Sequence, residues 1–509
     1  MPLDVNRFQQ QYKHHLKTTP GGQAPSVIET DVFIVGAGSV GCTFARNILD
    51  KTASIDKLKN TKILISDLAS PAFPHHVQNH ENNMGYQQDI DKFVNVIQGA
   101  LSTVSVPPSN AISQGATSIV GELSTDWVCA TPNPHAEELP DTFTKSEWDV
   151  LFKRAKELVK SSTAAHDEGI RQDVIKRTLN DAFKSDADRK FESLPLAAQK
   201  PTPESGPRLT LKADTLTVAF GCADNKIECA IIRDFITGEH SFVVAKVYVA
   251  ACGAIRTPQL LWNSDIRPAP LGRYLTERPV AFCQVVLGRN IIDKVEKDPK
   301  YADRVKRHRQ AAPGDSIPIP SDDPEPQVMQ PYHTARPWHG QIHKDGPSPG
   351  NVDSRLVVDL RWFGSGKVNP DNRVEFAGKI HSEEARDAYG MPQPTFNSKP
   401  GSEDQERNSR MMSDMCEVAS RLGGYLPGSN PQFIIMEGAL ASNCTGTNRA
   451  GTDKAMSVVD KNSKVHDVQN LWLGGDGVIP SAMACNSTLT SICYALQASD
   501  SIVEYLGRV

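Results

Sequence analysis

Apolar residues fall in short runs separated by polar, turn-rich stretches, and the period of the runs changes along the chain. Residues 31–35 form an apolar, β-branched run that predicts a buried strand, and it leads into Gly36-Ala37-Gly38-Ser39-Val40-Gly41. Helical spacing follows over 42–49, and a second strand pattern over 61–67 closes on Asp67. The result is a βαβ unit with its glycines between strand and helix. Residues 146–191 are charged with helical spacing, 209–249 return to strand-like alternation, and a helix is expected to begin at Thr257-Pro258. Residues 297–350 are rich in proline and charge and show no clear period. A strand is predicted over 357–363, a helix over 409–422 stopped by Gly423-Gly424, a strand over 471–473 and a last helix over 488–506. Residues 1–30 hold no apolar run and read as a mobile polar tail.

Composition narrows the class. A chain of 509 residues is too long for one hydrophobic core, so two domains are expected. Sixty acidic against fifty-five basic residues give a net charge of -5, which removes the electrostatic reason to expect nucleic acid or an acidic membrane as partner. No run approaches the ~20 apolar residues of a membrane helix, and the first thirty residues lack the apolar centre of a signal peptide. The ten cysteines have no CxxC spacing, which argues against a disulfide framework and a zinc site. Glycosylation sequons begin at Asn443 and Asn486, in segments assigned below to the active site, where a glycan would not fit. A cytoplasmic protein without a metal is the expectation.

The chemistry starts at the glycines. After a strand and at the start of a helix, they let the backbone approach a pyrophosphate, the helix supplies N–H donors, and Asp67 is placed for ribose hydroxyls. A carboxylate there disfavours a 2′-phosphate, so FAD or NAD is preferred to NADP.

Further segments resemble the pyranose-oxidase branch of the glucose-methanol-choline (GMC) oxidoreductases. They are DIDKFVNVIQGALSTVSVP (89–107), GELSTDWVCATP (121–132), DPEPQV (323–328), PWHGQIHKD (337–345), DSRLVVDLRWFG (353–364), MPQPTF (391–396) and residues 474–490. The likeness runs in order from about Asp31 to Tyr505. It implies an α/β chain of two domains: a Rossmann-like FAD domain (31–132, 205–270 and 436–509) interleaved with a substrate domain on a large antiparallel sheet (133–204 and 271–435). The positions it implies for FAD are Gly36, Gly38, Ser39, Val40, Gly41, Asp67, Gly121, Ser124, Thr125, Asp126, Trp127, Val128, Ala251, Cys252, Gly253, Asp476, Asn486 and Thr488. Gln341, Asp345 and Arg361 match sugar-site positions, and a small-molecule substrate with dioxygen or another electron acceptor follows.

The chain departs from that family where its chemistry is done. The resemblance places a catalytic His in a Thr-His-Arg-Met-Gly run, paired with an Asn, and this chain reads Thr447-Asn448-Arg449-Ala450-Gly451 with the partner at Asn486. An amide cannot take a proton near neutral pH. The His that carries the family's covalent flavin link is Asp126, so non-covalent FAD is expected; the next Thr is Val128, and a family glycine is Glu122. The flexible substrate loop has become Asp345-Gly346-Pro347-Ser348-Pro349-Gly350. His339 and His343 are candidate replacement bases, and their spacing also resembles a metal pair; His75, His76 and His80 read as a solvated loop. The short connection over 106–121 and the reduced segment over 288–318 predict a monomer, or a dimer at most. The expected function is oxidation of an alcohol on a polyol, sugar or oxygenated natural product. Two other classes stay open: a net non-redox lyase, isomerase or cyclase, and an inactive FAD-binding protein.

Overall fold

The computed structural model describes residues 5–16, 25–68, 102–103, 115–116, 129–164, 166–197, 208–344, 352–376, 386–387, 389–399, 401–433 and 444–509. Five parallel strands form its first sheet, in the order Leu471–Leu473, Val247–Ala250, Val32–Val35, Ile63–Ser66 and Leu209–Lys212. Four of these strands are buried along their whole length, as a sheet covered on both faces requires. Helices Ser39–Ala53 and Thr488–Leu506 cover one face, with Phe44, Ile48 and Ile502 packed on Ile34, Val249 and Trp472. A second sheet, Ser26–Glu29, His240–Val244, Lys226–Asp234 and Thr215–Ala223, contributes to the core on the other face. Helix Lys145–Val159 joins that core too, resting Trp148 against Tyr494 of the C-terminal helix.

The large antiparallel sheet is built on Val280–Leu287, Val357–Gly364 and Trp338–His343, extended by Val328–Gln330 and Glu192–Ser193. Period-two alternation gives it two unlike faces. Ala281, Cys283, Val285, Leu360, Trp362 and Ile342 pack under helices Ser402–Leu422 and Ile170–Ala182. Beneath this face Asp414 accepts from the indoles of Trp338 (2.9 Å) and Trp362 (2.8 Å) and from Gln330 (2.9 Å), and pairs with Arg189. The opposite face carries His339, Gln341 and His343 beside Phe363, Arg361 and Asp359. A slip of one residue would exchange these faces, so the apolar packing fixes which polar groups point away from the helices.

Three expectations are corrected. Residues 5–16 and 25–30 are not a mobile tail: Val5–Gln11 is a helix that buries Phe8, followed by the buried Tyr12, on Phe242 and Cys229, and Ser26–Glu29 pairs with His240–Val244. Two aromatics four residues apart make the face. The helix expected at Thr257 begins at Gly253, with Pro258 inside it. Pro258 cannot donate to the carbonyl of Ala254; the Thr447 hydroxyl does so instead, at 2.5 Å. Within the region over 297–350, the described residues up to 344 hold helix Ala302–Ala311 and two strands of the large sheet, after helix Arg289–Lys297.

Candidate active site

Four strand ends converge at the carboxyl edge of the parallel sheet, where ligands of open α/β sheets bind. Gly36 follows the first strand with φ +101°, and a Cβ there would stand 2.4 Å from the carbonyl oxygen of Ala251. A Cβ on Gly41 would stand 2.0 Å from the oxygen of Gly36. Gly38 is the N-cap of helix Ser39–Ala53, so the N–H groups of the first turn, at Ser39, Val40 and Gly41, open toward the loop. Asp67 is buried and its Oδ2 accepts from the Ala37 N–H at 2.6 Å, tying the second strand to the loop. Ala251 and Cys252 close the other side, with Gly253 at φ +81° opening a second helix. Between them lies a small cleft lined by Gly36, Asp67, Cys252, Arg256, Leu260 and Met391. Glycines without room for a Cβ, a helix N-terminus and a buried carboxylate fit the dinucleotide that the resemblance implies.

Asp476 sits after Gly475 (φ +98°), partly buried at the head of the C-terminal helix. Its two oxygens accept from Ser487 (2.5 Å) and from Ser491. Burial raises its pKa, while these hydroxyls and the Arg278 cation pull the other way. Thr488 is the first residue of that helix. The positions Gly121, Ser124, Thr125, Asp126, Trp127 and Val128, with Glu122, and the substrate position Asp345 lie outside the described residues, as do His75, His76 and His80.

Asn486 stands between this helix and the polar face of the antiparallel sheet. Its Oδ1 accepts from Gln341 Nε2 at 2.6 Å, and the same nitrogen lies 3.1 Å from His339 Nε2. Gln341 Oε1 is buried with no partner among the described residues; such a group costs roughly 1–3 kcal/mol unless a ligand or water completes it. Arg361 lies beside Gln341 across the strands, over the Phe282 ring. His343 is fully buried opposite Asp359, which accepts from Gln284 at 2.9 Å. Among the described residues no three His, Cys, Asp or Glu side chains come together as a metal site.

Asn448 makes no hydrogen bond to Asn486 among the described residues. It lies against the Asp476–Val478 turn: its N–H donates to the Gly477 oxygen at 2.8 Å, and a Cβ on Gly477 would stand 2.7 Å from its Nδ2. Both side-chain polar atoms of this fully buried amide lack a partner among the described residues. Thr447, held on Ala254 by its hydroxyl, anchors the chain immediately before this amide.

Two further groups hold the Asn486 loop, and neither is signalled by any motif in the chain. Glu138 Oε1 accepts from the N–H of Ala484 (2.7 Å) and Cys485 (2.9 Å), and its Oε2 from His135 N–H (2.8 Å). Arg278 donates to the Cys485 carbonyl at 2.9 Å and stacks over Phe363. His339 feels this cation: burial first, then Arg278, push its pKa from an ordinary 6.5 down to about 3. The folded chain therefore keeps a neutral imidazole while the unfolded chain protonates below 6.5. Stability present above that pH should be lost as the pH falls toward 3, by up to ~1.4 kcal/mol per unit from this group. Urea unfolding between pH 7 and pH 5 should show a smaller acid loss in His339→Gln; parallel curves for the two proteins would contradict the assignment.

A family model described as GMC oxidoreductase matches residues 375–495. The chain is 41% identical over 542 residues to pyranose 2-oxidase of Tricholoma matsutake, covering 94% of each chain. It is 37% identical to pyranose 2-oxidase of Lyophyllum shimeji, covering 94% of this chain and 92% of that one. Among solved structures, a formate oxidase variant of Aspergillus oryzae RIB40 superposes with a TM-score of 0.64 over 94% of this chain and 99% of its own, at 14% identity, which bears on the fold alone.

Proposed function

Because the chain belongs to the GMC oxidoreductase family, as a pyranose-oxidase-like, FAD-dependent oxidoreductase, we propose that it oxidises a hydroxyl of a sugar or related polyol on non-covalently bound FAD. When bound, FAD supplies the two-electron acceptor for the carbinol hydride. The chain's own part is to bind and orient. The loop at Gly36, Gly38 and Gly41 with Asp67 holds the nucleotide end, and Asp476 and the helix beginning at Thr488 hold the ring end. Gln341, Arg361 and Asp345 bind the substrate, with Asn486 beside the reacting carbon.

The observation that carries this reading is a buried polar face, His339–Gln341–Asn486, set against the helix whose Ser491 holds Asp476. A panel of pyranoses and polyols mixed anaerobically with the holoenzyme should bleach the flavin with at least one member. No bleaching by any of them would remove the substrate class.

The described partners of Asn486 include no strong base. His339 is a weak one, Asn448 is an amide, and the proton is left to water, a carboxylate or the substrate itself. The same observation supports a second reading, a net non-redox lyase, isomerase or cyclase; turnover without bleaching would mark it. An inactive FAD-binding protein would show neither.

Asp126 at the family's attachment position supports dissociable FAD. Acid precipitation should leave the yellow colour in the supernatant, and a yellow pellet would show a covalent link. The reduced segment over 288–318 supports a monomer or at most a dimer, because stable interfaces bury more than ~1,000 Å². Light scattering at low micromolar concentration should find no tetramer. Among the described residues no helix is long and apolar enough to cross a membrane.

A further inference from the structure

The direction of hydrogen bonding in the polar face can be read from one nitrogen. Gln341 Nε2 is a donor with two hydrogens, and both have acceptors: Asn486 Oδ1 at 2.6 Å and His339 Nε2 at 3.1 Å. An amide nitrogen cannot accept, so His339 Nε2 must be the unprotonated atom of its ring and the ring hydrogen lies on Nδ1. With both hydrogens used, Gln341 keeps only Oε1 for a ligand, and that atom is buried without a partner among the described residues. Asn486 has given its oxygen to Gln341, so it has its Nδ2 hydrogens to offer. The hydrogen-bonded pair of amides is then left with one acceptor and one donor to offer.

We propose that His339 is a positioning residue: by accepting at Nε2 it holds the Gln341 amide with its carbonyl toward the ligand, so that Gln341 and Asn486 together read one hydroxyl. The hydroxyl donates to Gln341 Oε1 and accepts from Asn486 Nδ2. An ether or carbonyl oxygen has no hydrogen for Gln341 and is discriminated against. The charged surroundings favour the neutral ring. Arg278 faces it from the start of strand Val280–Leu287 and Arg361 lies on the neighbouring strand; His343 and Asp359 lie further along the face. Asp476 and Glu138 act on Arg278 from the far side. Protonation of His339 would place a donor against a donor and force the amide to turn, reversing what the pair reads. The proposal rests on the hydroxyl-oxidising reading above, and the first of its two tests does not.

Histidine-selective ¹⁵N NMR of the holoenzyme decides the tautomer, with His339→Gln identifying the signal. From about pH 5 to pH 8 the ring should show a bare Nε2, a protonated Nδ1 and no titration. An Nε2–H tautomer, or titration in that range, overturns the proposal whether or not any sugar is a substrate. Flavin bleaching by the most reactive pyranose of the panel separates positioning from base catalysis. His339→Leu should slow it by roughly tenfold or more, and His339→Gln, whose amide oxygen can accept near the same point, should recover most of that loss. A base role predicts the opposite for His339→Gln, a loss of ~10²–10⁴-fold that no amide repairs.

Discussion

Gly41→Ala should yield a protein that holds little FAD and is destabilised even without it. The added Cβ would stand 2.0 Å from the Gly36 oxygen, and the atom it meets is backbone, which cannot swing aside. Helix Ser39–Ala53 would have to move off the loop, whose other side is already closed by Ala251. Overpacking of this kind costs about 3 kcal/mol. Thermal unfolding of the FAD-free protein and the flavin-to-protein ratio of the purified variant are the measurements. Gly38→Ala is the comparison, because Gly38 has an ordinary extended backbone, φ -66° and ψ 177°. It should fold as well as the parent and lose only cofactor affinity. Equal stability of the Gly41→Ala apoprotein and the parent would show that the close approach is a ligand contact and not a packing constraint.

Glu138→Ala should disable turnover from a distance. Its carboxylate takes three buried backbone N–H groups, two of them immediately before Asn486. Alanine would leave them without an acceptor, at roughly 3–5 kcal/mol for the set, less what entering water repairs. The freed loop would lose the placement of Asn486 against Gln341, and a misplacement near 1 Å is enough for ~10²-fold in rate. Flavin content should fall less than rate, since the nucleotide cradle is elsewhere. Glu138→Gln should be milder, because Gln Oε1 can keep Ala484 and Cys485 while its NH₂ abandons His135. Unchanged pyranose-driven bleaching in Glu138→Ala would show that Arg278 alone holds the loop.

The parts of the site that were legible in the sequence are those built from neighbours. Gly36, Gly41 and Asp67 act within one βαβ unit, and their steric and hydrogen-bonding roles follow from spacing and local context. The two faces of the large sheet were legible only through resemblance, since Trp338-His339-Gly340-Gln341-Ile342-His343 alternates by size and polarity without announcing which face is buried. Glu138 and Arg278 were invisible because their partners lie 346 and 207 residues away. Resemblance alone paired Asn448 with Asn486, and nothing local announces that the Thr447 hydroxyl one residue earlier bonds a helix 193 positions away. The N-terminal helix failed for a simpler reason: Phe8 and Tyr12 are too few to make a visible period, yet enough to cover Phe242 and Cys229.

The bond from Thr447 to the Ala254 carbonyl has a consequence for descent with modification. Pro258 created the vacancy that the hydroxyl fills, so the two residues form one unit although 189 positions apart in a chain whose numbering puts them at 258 and 447. A lineage that keeps proline at 258 has reason to retain serine or threonine at 447, because valine would strand a buried carbonyl. A lineage that replaces the proline restores the helical bond and releases position 447 to drift. Homologues sorted by the residue at 258 should therefore differ in what they tolerate at 447, and the orientation of residue 448 should change with it.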